Sequence, residues 1–166
     1  MLGYGGLVPF VFAAAVALGG GRYAQWSQEA LSLYGGIILS FVGALHWAFA
    51  MTSSSLSPRQ RNMCYLWSVV PALIAWMALL AGPPAGNILL GAGFVLHYWR
   101  DRALVVAAGL PAWYLPLRLR LTVIACLCLA AGGAAVPTRS VADARKSDCL
   151  RQFAVCAPHQ PSTRMT

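Results

Sequence analysis

The sequence predicts an all-α protein, a polytopic integral membrane helix bundle of about five transmembrane helices with one interfacial or re-entrant segment. Of its 166 residues, 59% are hydrophobic and 10% are charged, with a mean hydropathy of +0.65, whereas an average soluble domain has about 25% charged residues. The run Tyr34–Met51 contains no Asp, Glu, Lys or Arg. At about 1.5 Å rise per residue, such a helix crosses a hydrocarbon layer of about 30 Å with slight local thinning.

This run, residues 34–51, is predicted to be the packing centre of the bundle. At about 100° per residue, Gly36, Ser40, Gly43 and Trp47 fall on one stripe, and His46 falls on a neighbouring stripe. In lipid, small side chains favour helix association because they let another backbone approach closely. We therefore assign this stripe to helix packing.

The first span is predicted over residues 2–19, with Pro9 in mid-run as a kink that neighbouring helices accommodate. A cleavable signal peptide is disfavoured because no Lys or Arg precedes the apolar run. Residues 19–31 are predicted to form a polar connection to the second span.

The third span is predicted over residues 64–82 and contains Pro71. Trp67 and Trp76 are about two and a half helical turns apart, so at most one of them can line a common interior. We assign Pro71 and Trp76 to helix packing. A tight Gly-Pro turn then leads into a short fourth span, residues 87–99, which makes the two spans an antiparallel hairpin.

Residues 103–116 are broken by Pro111 and Pro116, which predicts the interfacial or re-entrant segment. The last span is predicted over residues 119–136, which completes a transmembrane domain of residues 1–136. Residues 137–166 are polar and mixed in charge, which predicts a disordered carboxy-terminal tail.

The positions of the basic residues predict orientation. Six arginines fall in the loops of one side, against Arg22 on the other, so that side and the amino terminus are expected to be cytoplasmic: Arg59, Arg61, Arg100, Arg102, Arg118 and Arg120. Arginine supplies every basic residue except Lys146, which together with abundant Ala and Gly indicates a GC-rich bacterial genome and hence a bacterial cytoplasmic membrane.

The expected partners are the lipid bilayer and either other membrane proteins or further copies of the chain. The net charge of +8 is attributed to loop residues that touch anionic lipid. Nucleic acid is not an expected partner because no basic helix face lies outside the spans.

Two sets of polar residues are candidates for function. His46 and His97 lie near the same membrane face, with Cys126 at a similar depth, and imidazole and thiolate can bind haem iron, copper or zinc. We find no ligand pair at the i, i+3 or i, i+4 spacing of dedicated bundle sites, so the sequence predicts no metal site and no cofactor. A haem, metal or quinone-associated redox protein that uses His46 and His97 stays as an alternative.

The second set is Asp101 with Arg118 and Arg120, which are predicted to share an inner loop. A guanidinium fork can hold the carboxylate and close the re-entrant segment against the bundle. The alternative is a contact with lipid headgroups or with a quinone.

Catalysis is not expected. We predict no intramembrane Asp, Glu or Lys, Glu29 is the only glutamate, and no serine lies in a G-x-S-x-G elbow. The preferred function is therefore a non-catalytic accessory or assembly component of a membrane complex, and a small-solute permease is a further alternative.

Several segments, in order along the chain, carry a family likeness: GLVPF (6–10), YGGIILSFVGALHW (34–47), VPALIAWMALL (70–80), Asp101 and LPAWYLPLRLRLT (110–122). Together they resemble the bacterial DUF3429 family. The resemblance reaches to about Val136 and implies a multi-span membrane fold. It implies no particular activity, substrate or cofactor.

Overall fold

The structure is a computed structural model that describes the backbone of residues 2–135 and the side chains of residues 4–134. All the regular structure in this part of the chain is helical, which confirms the predicted class. The helices are α1 (Leu2–Gly5), α2 (Val8–Leu18), α3 (Ala24–Thr52), α4 (Pro58–Ala81), α5 (Ala85–Ala108) and α6 (Tyr114–Ala135). The predicted tail, residues 137–166, lies outside the described residues.

The first predicted span, residues 2–19, divides into α1 and α2 at a turn over Gly6 and Leu7. Pro9 therefore lies in the first turn of α2. Proline is tolerated there because the N–H that it lacks would have no intrahelical partner. The prediction that Pro9 kinks the middle of a span is wrong.

Helix α3 begins at Ala24 rather than at Tyr34, so most of the predicted polar connection is helical. Its polar side chains face other helices instead of water. Ser27 is buried, and its hydroxyl donates a 2.7 Å hydrogen bond to the carbonyl of Ala13 in α2. Because such polar side chains hydrogen-bond to another helix, they can continue α3 beyond the predicted apolar run.

Helix α4 also begins earlier than predicted, because the loop before it ends in a capping box. The hydroxyl of Ser57 accepts a 3.3 Å hydrogen bond from the backbone N–H of Gln60. The side-chain oxygen of Gln60 accepts one of 3.0 Å from the backbone N–H of Ser57. Two otherwise unpaired donors at the helix end are satisfied, and Pro58 then opens the helix.

Helix α5 continues through the charged residues at which the sequence predicts an end. The bounds predicted for the fourth span, residues 87–99, are too short for this helix, and the prediction of a separate interfacial or re-entrant segment over residues 103–116 is wrong. Residues 103–108 belong to α5, which ends where Gly109 adopts a left-handed conformation with φ of 63°. The helix can continue because Asp101, which is fully buried, has a partner in α6.

Helix α3 packs against α2, α4, α5 and α6. Its two faces contact different neighbours. Gly36 and Gly43 face α4, where they lie against Leu79 and Pro71. The other face contributes to a core whose largest members include Phe10, Leu31, Leu39, Leu90, Phe94 and Leu129.

The two tryptophans that the sequence assigns to packing lie on the outer surface. Trp47 is 52% exposed and Trp76 is 59% exposed. The ring of Trp47 contacts that of Tyr65, with centroids 5.5 Å apart. Ser40 is half-buried and donates to the carbonyl of Gly36 within its own helix. The packing stripe of α3 is therefore narrower than predicted, because its glycines approach α4 closely whereas Trp47 is mostly exposed and Ser40 only half-buried.

Three helices of the described chain, α3, α4 and α6, are long and apolar enough to cross a membrane. Large apolar side chains are exposed all around the bundle, among them Phe12, Ile37, Phe41, Leu66, Leu73, Ile88, Val95 and Leu127. An apolar exterior of this kind suits contact with lipid chains.

Candidate buried histidine–aspartate site

The most polar part of the interior lies towards one end of the bundle, where α3, α5 and α6 meet. His46 of α3 is completely buried, as is Asp101 of α5. His97 is 1% exposed, and Arg118 of α6 is 7% exposed. His97 and Asp101 are four residues apart on one helix, so their side chains share a face. We call these four residues the buried site.

Asp101 and Arg118 form an ion pair inside the bundle. Nε of Arg118 donates to Oδ2 of Asp101 at 2.7 Å. The prediction that these residues lie in a loop is wrong, because both are within helices. Arg120 does not join them; it is exposed and donates to the hydroxyl of Tyr4 at 3.3 Å. The ion pair therefore ties α5 to α6.

The other carboxylate oxygen faces both histidines. Oδ1 of Asp101 lies 3.7 Å from Nε2 of His46 and 3.7 Å from Nε2 of His97. Both distances exceed ordinary hydrogen-bond range. Within residues 4–134, these three buried atoms have no hydrogen-bond partner, and the same is true of Nδ1 of His46 and of the hydroxyl of Tyr114, which lies close to Asp101. Such groups ordinarily have a partner, so each calls for an explanation.

The second ring nitrogen of His97 does have a partner. Nε1 of Trp67 in α4 donates to Nδ1 of His97 at 3.2 Å. Above the indole lies the guanidinium of Arg100, 5.7 Å from the ring centroid. Of the two tryptophans in α4, Trp67 is thus the one that reaches the interior.

The sequence separates residues that the structure brings together. It pairs His46 with His97 and places Asp101 elsewhere, because the charged run 100–102 looks like the end of a helix. The i, i+4 spacing of His97 and Asp101 is visible in the sequence, so the prediction that no such ligand pair exists is wrong. Cys126 is not a member of the site; its thiol faces the carbonyl of Gly91 at 3.7 Å.

The converging atoms suit a metal ion. His46, His97 and Asp101 each offer one ligand atom, and these atoms lie within 4.8 Å of one another. Ligand atoms at about 2.0–2.1 Å from a tetrahedral ion are about 3.4 Å apart, which is close to the two distances of 3.7 Å. A small inward movement of the side chains would complete the contacts.

Haem does not fit between the two histidines. The imidazole rings of His46 and His97 meet edge to face, with centroids 4.8 Å apart. Two axial histidines must lie on opposite sides of a porphyrin plane. Placing that plane here would require α3 and α5 to separate.

Comparison with known proteins shows which family this chain resembles. The profile described as "Protein of unknown function (DUF3429)" matches residues 1–134. The chain belongs to the DUF3429 family. The match covers all four residues of the buried site and confirms the resemblance seen in the sequence.

A curated relative is named transmembrane protein 69, from Xenopus tropicalis. It is 39% identical over 133 residues, which is 77% of this chain and 50% of the relative. The chain thus spans about half of the length of the curated relative it matches. No solved structure matches the chain. Together with the apolar helices, these matches show that the chain is an integral membrane protein.

Proposed function

We propose that this protein is a five-span component of a bacterial cytoplasmic membrane that holds one transition-metal ion in the buried site and has no catalytic activity of its own. The observation that carries the proposal is the convergence of three buried ligand atoms, from His46, His97 and Asp101, that have no hydrogen-bond partner in the described part of the chain.

The five proposed spans are α3, α4 and α6 together with two further segments. Helix α5 has 24 residues, which at about 1.5 Å each is enough to cross the hydrocarbon layer. The charge of Asp101 within it is matched by Arg118. Helices α1 and α2 together supply the remaining span.

The buried site lies at the arginine-rich end of the bundle. His46 lies near the carboxyl end of α3, and Arg118 lies near the amino end of α6. The same end carries Arg59 and Arg61 at the start of α4. By the positive-inside rule, this end faces the cytoplasm. The ion would therefore be held near the cytoplasmic surface.

The donor set favours a borderline ion such as Zn²⁺, Co²⁺ or Fe²⁺. Two imidazole nitrogens and one carboxylate oxygen suit these ions better than Ca²⁺ or Mg²⁺, which take mostly oxygen ligands. Because Arg118 holds the second oxygen of Asp101, the carboxylate offers the ion one oxygen. Arg118 also fixes the orientation of that carboxylate, as outer partners of metal ligands do.

Titration of the detergent-purified protein with Co²⁺ tests the proposal. We expect one equivalent to bind, with visible absorption bands of a low-coordinate site. His46→Gln should weaken binding by more than the about 10- to 100-fold that changes beyond the first ligands cause, because it removes a ligand. The matched control is Asn87→Ala, which changes another buried polar residue in the bundle. Absence of stoichiometric binding, or wild-type binding by His46→Gln, would contradict the proposal.

An accessory role in a larger complex is supported by a groove on the outer surface between α3 and α4. It has a volume of about 560 Å³ and is lined by Ser40, Ala44, Trp47, Ala48, Met51, Ser68, Val69 and Ala72. Small residues along a groove let a further transmembrane helix approach closely. We propose that a helix of a partner protein lies there.

Site-specific crosslinking in native membranes tests this role. We expect a cysteine at Ala44, in the groove, to crosslink to one partner protein. The matched control is Val95→Cys, which is exposed on α5 and does not line the groove. Equal crosslinking from both positions, or crosslinking to lipid alone, would contradict a dedicated partner site.

A further inference from the structure

The hydrogen bond between Trp67 and His97 determines which nitrogen of His97 carries the proton. An indole N–H can only donate, so Nδ1 of His97 must supply a lone pair. A neutral imidazole has one N–H and one lone pair. The proton of His97 is therefore on Nε2, the atom that lies 3.7 Å from Oδ1 of Asp101.

This tautomer cannot bind a metal ion through Nε2, because that nitrogen has no lone pair to offer. Histidines that bind metal ordinarily donate their other N–H to a carboxylate, a carbonyl or water. At His97 the other nitrogen accepts instead. The Trp67 hydrogen bond and metal binding by Nε2 of His97 are thus mutually exclusive.

We propose that Trp67 controls ion binding at the buried site by competing for the tautomer of His97. With the indole in place, Nε2 of His97 carries the proton and the site lacks one ligand. When the indole N–H leaves Nδ1, the proton moves to Nδ1 and Nε2 becomes free to bind the ion. The inference rests on the metal site proposed above.

Two residues that adjoin Trp67 line a cleft. A cleft of about 210 Å³ between α4 and α5 is lined in part by Cys64 and Arg100. Cys64 precedes Trp67 by about one helical turn, and Arg100 covers its ring. The cleft therefore lies next to neighbours of Trp67, although the indole itself does not line it.

Removal of the competing donor should strengthen ion binding. We expect Trp67→Phe to bind Co²⁺ about three- to tenfold more tightly than the wild type, as the loss of one neutral hydrogen bond predicts. Phenylalanine keeps most of the ring contact with Arg100. The matched control is Trp76→Phe, an exposed tryptophan of the same helix, whose affinity should stay at the wild-type value.

A second measurement applies even if Trp67→Phe does not fold. The chain has six tryptophans, and their indole N–H signals can be followed by nuclear magnetic resonance as Zn²⁺ is added to the full-length protein. We expect one signal to lose its hydrogen-bonded shift in step with binding.

The outcomes separate the two proposals. Failure of the wild type and of Trp67→Phe to bind any ion would overturn the metal site itself. Normal ion binding with unchanged or weaker affinity in Trp67→Phe would overturn the control by Trp67 and leave the metal site intact. Zinc binding that moves no indole signal would overturn it in the same way.

Discussion

Arg118→Leu is expected to lower the free energy of unfolding by about 3–5 kcal/mol, the largest single loss that we predict in the bundle. The substitution removes the 2.7 Å partner of Asp101 and leaves a carboxylate that is completely buried and uncompensated. Removing one member of a buried ion pair costs more than the pair itself contributes. Unfolding in mixed micelles, followed by helical circular dichroism in the presence of a chelator, measures the loss without contributions from bound metal.

Two controls isolate the ion pair. Arg120→Leu replaces an exposed arginine two residues further along α6 and should lower the free energy of unfolding much less. The double variant Asp101→Asn/Arg118→Leu removes both charges, so it should be more stable than Arg118→Leu alone. Equal losses for Arg118→Leu and Arg120→Leu, or a double variant less stable than Arg118→Leu, would show that the pair does not hold α5 to α6.

Gly43→Leu is expected to lower the free energy of unfolding by about 3 kcal/mol and to reduce the yield of folded protein sharply. A Cβ at Gly43 would lie 2.9 Å from Cβ and Cγ of Pro71 and 3.1 Å from the carbonyl oxygen of Ser68. A proline ring and a backbone carbonyl cannot move aside as the end of a flexible side chain can. Helices α3 and α4 would have to separate. Lower recovery of monodisperse protein and a lower thermal unfolding temperature would show this.

Substitutions at Ala44 and Gly36 provide two comparisons with smaller expected losses of stability. Ala44→Leu adds a side chain at an exposed position and should be tolerated. Gly36→Ala should be intermediate, because its Cβ would meet the side chain of Leu79 at 3.3 Å and leucine can shift. Similar stability of Gly43→Leu and Ala44→Leu would contradict close packing of α3 on α4.

Much of the fold could be predicted from the sequence because the signals are local. Apolar runs such as Tyr34–Met51 indicate membrane helices by length and composition alone. The predicted helix limits were too short wherever polar residues continue a helix. Ser27 and Asp101 resemble loop residues until their partners Ala13 and Arg118, on other helices, are known.

By itself, the sequence determined that this is a helical membrane protein of the DUF3429 family and that two histidines and an aspartate–arginine set are its unusual polar residues. Only the tertiary structure decided that His46, His97 and Asp101 share one site, that Arg118 rather than Arg120 completes the ion pair, and that Trp67 faces inward. The physical reason is that spacing along a helix determines which residues share a face. Which face is buried, and against what, depends on side chains contributed by other helices.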